Sequence, residues 1–122
     1  MDAQLANRFV EEWIRAWNNH DLDNIMAHYA DDVQFYSPFI PLLQFNSEGV
    51  IRDKNELRKY FELGLQRFPD LHFKLQNVLT GINTLVIYYQ SVNERTAAEV
   101  FELNDEDKAV KVYCNYSAAA TQ

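Results

Sequence analysis

The chain predicts an α+β fold, with helices gathered before a run of antiparallel strands and packed on one sheet face. Two observations carry that reading. Amphipathic helical periodicity occupies residues 3–29 and 53–67, whereas residues 71–117 alternate in strand fashion between short polar turns. A third observation points to function: the alternating segment TAAEVFEL places Glu99 in a row with Ala97, Phe101 and Leu103. A carboxylate in such a row lines a hollow or faces outward.

Each element has its own signal. In residues 3–18, Leu5, Phe9, Trp13 and Trp17 recur every fourth position beside Ala6, Val10 and Ile14. Arg8, Glu11, Glu12, Arg15 and Asn18 fill the opposite side. Asn18-Asn19-His20 breaks this helix, and Asp21 caps a second over 22–29, with Leu22, Ile25, Met26 and Tyr29 apolar. Asp31-Asp32 turns the chain into a short strand, Val33–Tyr36, that stops at Ser37-Pro38.

The loop 37–50 is unusually apolar, with Phe39, Ile40, Leu42, Leu43 and Phe45. It either packs on the body or a partner subunit, or forms a lid over a pocket. Asp53-Lys54-Asn55-Glu56 resembles a capping box and opens a third helix that runs to about Arg67 and ends at Pro69. Leu57, Tyr60, Phe61, Leu65 and Phe68 share one side of it.

Strands follow over 71–80, 83–92, 95–103 and 108–117, and their short connections imply an antiparallel meander. Residues 118–122 read as a frayed tail. Strand 83–92 is apolar on both faces: Val86 and Tyr88 on one, Leu85, Ile87 and Tyr89 on the other. One face buries against the helices. The other needs cover, and a second copy of the chain is the simplest cover. Leu85, Ile87, Tyr89, Val100 and Tyr113 are assigned to that outer, homodimer-forming face.

The chain has 122 residues, which suits one domain spanning 1–122. Aromatic residues make up 14%, an excess that serves either core filling or a pocket wall. The net charge is −7 and no basic stripe exists, which argues against nucleic acid and anionic membrane as partners. No apolar stretch is long enough to span a bilayer, and Asp2, Glu11 and Glu12 stand where a signal peptide would be basic and then apolar. The single cysteine, Cys114, permits no internal disulfide, so a cytoplasmic setting is expected. His20, His28 and His72 lack metal-ligand spacing. With three glycines there is no phosphate-cradling loop. Neither metal nor cofactor is expected.

The segment FVEEWIRAWNNHDLDNIMAHYADDVQFYSP, residues 9–38, resembles the opening of the NTF2-like superfamily, and more narrowly its SnoaL-like and ketosteroid-isomerase-like branch. Gly49-Val50-Ile51-Arg52-Asp53 and the hairpin around Phe101–Asn104 and Lys108–Val110 resemble further elements of that family. The resemblance implies a cone: three N-terminal helices packed on a curved antiparallel sheet, with a pocket inside. In ketosteroid isomerase an Asp base works with a Tyr and a protonated Asp as oxyanion donors. By the shared motifs those roles fall at Ser37, Trp13 and Glu99. Ser37 cannot abstract a proton unaided and Trp13 offers only an indole N–H, so the resemblance does not carry isomerase activity with it.

Glu99 is the candidate catalytic residue. Desolvation in an aromatic hollow favours a neutral carboxyl, which acts as general acid, as base near neutral pH, or as donor to a ligand carbonyl. The alternative is a structural carboxylate bonded to a tyrosine or a water. Tyr88 and Tyr116 are candidate partners for it. Trp13, Trp17, Tyr29, Phe35, Ser37, Tyr60, Phe61, Phe101 and Cys114 complete the expected pocket. His28 reads as half exposed, and His72 as facing solvent or the dimer seam. The expected function is a pocket for a small hydrophobic molecule, with cofactor-independent acid–base chemistry. The alternative is a non-catalytic binding or dimerisation module.

Overall fold

A computed structural model describes residues 1–118; most of the expected tail, residues 119–122, lies outside the described residues. The chain runs α1 (Ala3–Asn18), α2 (Leu22–Met26), β1 (Tyr29–Tyr36), α3 (Phe39–Leu42), β2 (Val50–Ile51), α4 (Lys54–Arg67), β3 (Lys74–Thr80), β4 (Thr84–Gln90), β5 (Thr96–Leu103) and β6 (Ala109–Tyr116). The helices pack on a curved, unclosed six-stranded sheet of order β2-β1-β6-β5-β4-β3. Among the described residues, no helix is long and apolar enough to cross a membrane.

The three longer helix starts are capped by aspartates, two of them, Asp21 and Asp53, as the sequence predicts and the third, Asp2, not foreseen from it. Asp2, Asp21 and Asp53 accept the backbone N–H of Gln4, Asn24 and Glu56 at 3.0, 3.2 and 3.3 Å. Each satisfies one of the amides a first helical turn leaves free. In α1 the fourfold aromatic spacing becomes one buried stripe: Phe9, Trp13 and Trp17, with Ala6, Val10 and Ala16. The β3–β6 meander is antiparallel throughout.

Three features differ from the sequence reading. The second helix stops at Met26, and Tyr29 starts a longer β1. The Ala109 amide bonds the His28 carbonyl at 2.9 Å and Tyr29 pairs with Ala109, so the sheet ladder claims these residues. The sheet is mixed, because β1 lies parallel to β6. The loop after β1 holds a short helical segment, α3, whose Ile40 is fully buried.

The faces of β4 are also reversed. Leu85, Ile87 and Tyr89 point inward at 0, 0 and 1% exposure, whereas Tyr88 is 41% exposed. Directly opposed residues share a face, and Ile87 pairs with Glu99 while Leu85 pairs with Phe101. A strand apolar on both sides carries no alternation of its own, so the neighbour's register decides. The outer face instead presents the cross-strand row Leu79, Val86, Val100, Tyr113, with Tyr36 stacked on Tyr113 at 4.9 Å.

Candidate functional site

Glu99 sits mid-strand in β5, 3% exposed, at the floor of a cavity between the sheet and the helices. Its neighbours follow from the register. Cys114 on β6 is directly opposite it, and Tyr89 on β4 pairs with Ala97, two residues away on the same face. The Tyr89 hydroxyl donates to Glu99 Oε1 at 2.7 Å.

The helices supply the roof. Trp13 stacks on Phe73 at 5.6 Å and meets Tyr89 and Phe101 edge-on at 5.4 and 5.7 Å. Its indole N–H donates to the Tyr29 hydroxyl at 3.0 Å. Trp17 packs on Phe61 at 4.9 Å, and its buried indole N–H has no partner among the described residues. The cavity is small, about 70 Å³.

Burial raises the Glu99 pKa to about 7, against the downward pull of the bonds from Tyr89 and Cys114. Burial also holds Tyr89 and Tyr116 well above the ordinary phenol value, with the neighbouring acidic groups adding to it. It does the same to the Cys114 thiol. Burial raises Tyr60 too, so near neutral pH the site contains three phenols and a thiol that keep their protons, and one carboxyl that gains or loses its own.

Of the residues expected in the pocket, Trp13, Trp17, Phe35, Tyr60, Phe61, Tyr116 and Glu99 line the cavity. Tyr29, Ser37, Phe101 and Cys114 are buried behind that lining. Tyr88 is on the outer face and contributes nothing, and Tyr89 takes its place. Phe39 and Leu43, from the apolar loop read as packed on the body or as a lid, also line the cavity; sequence reasoning missed Phe68, Leu71, Phe73, Ser91 and Val92, which line it from connecting segments.

The loop after β1 does two things at once. Ile40 joins the core, whereas Phe39 and Leu43 wall the cavity. Phe39 stacks on Tyr116 at 4.3 Å, and the Arg95 guanidinium lies 5.3 Å from the Phe39 ring centre. Ser37 Oγ accepts the Phe39 amide at 3.2 Å.

His28 is buried rather than half exposed, because Phe9 packs edge-on against it at 4.9 Å. Its Nδ1–H donates to the Asn24 carbonyl at 2.9 Å, which leaves Nε2 as a lone pair 3.7 Å from Glu12. Burial lowers its pKa. It does not line the Glu99 cavity. His72 is exposed, and the His20 ring donates to the Leu71 carbonyl. Among the described residues, no three His, Cys, Asp or Glu side chains are placed to hold a metal ion.

Comparison with known proteins agrees with this architecture. A family model described as a SnoaL-like domain matches residues 10–111. A SnoaL-like protein of unknown function from Burkholderia thailandensis E264 is 36% identical, with a TM-score of 0.91 over 97% of this chain and 99% of that one. An NTF2-like protein of unknown function from Cytophaga hutchinsonii superposes with a TM-score of 0.70 at 12% identity, over 92% of this chain and 89% of its own. The epoxide hydrolase/cyclase-like enzyme SalBIII, with a role in pyran ring formation in polyether salinomycin, superposes at 0.73 with 17% identity, over 95% of this chain and 93% of its own. At those identities the last two speak to the fold alone. The comparison with curated proteins gave no match.

Proposed function

This chain belongs to the SnoaL-like family, and from that premise we propose that its cavity binds a small apolar molecule bearing an oxygen acceptor and acts on it by acid–base chemistry. The observation that carries the reading is Glu99: a fully buried carboxyl on the cavity lining, held by one phenol, with a pKa of about 7. In its neutral form it donates a hydrogen bond, or a proton, to a carbonyl, ether or epoxide oxygen. A group whose pKa lies near the working pH is well matched to that transfer. The aromatic walls supply apolar contact and exclude water, which strengthens the bond. A non-catalytic binding module uses the same carboxyl as a donor only, and the departure at Ser37 favours that second reading.

The test uses acetophenone, a neutral aryl ketone, titrated while the fluorescence of Trp13 and Trp17 is followed. Affinity is expected to be flat below pH 7 and to fall about tenfold per pH unit well above it, because only neutral Glu99 donates to the ketone. In Glu99→Gln the pH dependence disappears. Binding that ignores pH in the wild type removes Glu99 from the site. Turnover of an aryl ketone or epoxide series then separates enzyme from binder.

The outer row Leu79, Val86, Val100 and Tyr113 is, in the same reading, the face covered by a second copy of the chain. It crosses four strands, and two of its members, Leu79 and Tyr113, are more than 40% exposed.

A further inference from the structure

The Glu99 cavity, at about 70 Å³, is too small for an aromatic guest. A hollow of roughly 150 Å³ admits a benzene ring, so a ring-sized ligand must displace part of the wall. Outside that wall runs a groove of about 370 Å³ between residues 67–72, where α4 gives way to β3, and residues 90–94, where β4 turns towards β5. Four residues border both hollows: Phe68, Leu71, Ser91 and Val92.

Ser91 and Val92 belong to a turn with an unusual backbone. Asn93 and Glu94 follow one another with φ of 56° and 59°. Left-handed conformations are uncommon outside glycine, asparagine and aspartate, and such strain concentrates where segments move or bind. The turn is closed on itself by the bonds Ser91 N–H to Arg95 O, 2.7 Å, and Arg95 N–H to Val92 O, 3.2 Å. It can therefore shift as a unit without breaking them.

Taking the cavity as the ligand site, as above, we propose that cavity and groove are the inner and outer halves of one binding site, with the 91–95 turn as the partition a ligand displaces. The ligand is an elongated amphipathic molecule. Its apolar head carries the oxygen that reaches Glu99, and its tail is neutral and rich in hydroxyl groups. The groove explains the tail: its charged groups, Arg67, Asp70 and Glu94, are of mixed sign, and His72, Gln90 and Asn93 offer further donors and acceptors. Such a lining selects neither an anion nor a cation.

The experiment compares acetophenone with 4-acetylphenyl β-D-glucopyranoside by amide NMR titration of the whole chain. Both are expected to shift β5 around Glu99. Both also shift the displaced turn at 91–95; only the glucoside shifts the outer groove at Arg67, Asp70, His72 and Gln90, and it binds about tenfold tighter, as two or three added hydrogen bonds would give. Arg67→Ala and Gln90→Ala, both clear of the core, should each weaken the glucoside about threefold or more and leave acetophenone unchanged. A glucoside that binds no tighter, or shifts β5 alone or the groove alone, overturns the joined site while the cavity reading stands on the acetophenone result. If neither probe shifts β5, the cavity reading fails and this inference fails with it.

Discussion

Glu99→Gln should make the protein more stable at alkaline pH than the wild type, by an amount that follows from where the carboxyl sits. Unfolded, the group titrates near 4.5; folded, at about 7. Below 4.5 both states hold the proton and the folded state has its full stability from this group. Between the two values the unfolded chain has released the proton and the folded chain still holds it. Stability then falls by about 1.4 kcal/mol per pH unit, roughly 3 kcal/mol in all by the time pH has passed 7. Glutamine carries no titrating proton, and its amide oxygen keeps an acceptor for Tyr89. The stability difference, variant minus wild type, should therefore climb by roughly 3 kcal/mol from pH 4.5 to 8, a gap on the order of 10 °C in Tm. Urea unfolding of both proteins across that range measures it. Taking the difference cancels His28, whose lowered pKa acts the other way: its contribution is full above 6.5 and lost as pH falls. A difference that stays constant from pH 4.5 to 8 would refute a desolvated carboxyl and the site with it.

Two further outcomes are expected. Tyr89→Phe removes the donor that favours the charged carboxylate, so the carboxyl carbon of Glu99 should titrate above 7 by NMR; an unchanged midpoint would mean the 2.7 Å bond has no electrostatic consequence. Val100→Asp puts a charge at the middle of the outer apolar row without touching the cavity. Light scattering should give twice the chain mass for the wild type and a single-chain mass for the variant, and a wild-type monomer at micromolar concentration would discard the twin-chain face.

Where local pattern and tertiary packing agree, the sequence is legible. The fourfold spacing of Phe9, Trp13 and Trp17 has one helical solution, and the aspartates that start α2 and α4 act through bonds three residues long. Strict alternation groups Ala97, Glu99, Phe101 and Leu103 in one row and leaves its direction open; these four are the buried set of β5. Elsewhere the deciding information is non-local. The face of β4 depends on its register with β5, because Leu85–Tyr89 is apolar at every position. The parallel pairing of β1 with β6 joins residues some eighty positions apart and leaves no mark in either segment. The missed cavity wall, from Phe68, Leu71, Phe73 and Val92, comes from connecting segments whose paths no periodicity describes. The part supplied by Phe39 and Leu43 is signalled by the run of apolar residues in loop 37–50, more than solvent would favour.

The two positions that depart from the isomerase pattern explain why the proposed chemistry narrows to one carboxyl. Ser37 is spent on structure: its Oγ accepts the Phe39 amide and fixes the start of α3, and it stands behind the cavity lining. Trp13 directs its indole N–H to Tyr29. Neither position offers a base, and the phenols of Tyr89 and Tyr116 are held in their protonated forms by burial. Among the described residues that line the cavity, Glu99 therefore has no second group titrating near neutrality to alternate with. A site with separate acid and base gives a rate that rises and falls with pH, each limb reporting one group. A site with one carboxyl near 7 gives a single limb: activity or affinity that needs a donor declines above neutrality, and a step that needs a base while Glu99 acts as donor must draw it from the substrate itself. On the proposed acid–base reading, substrates that already carry their own nucleophile, and need only an oxygen activated in an aromatic hollow, are the ones this arrangement would serve.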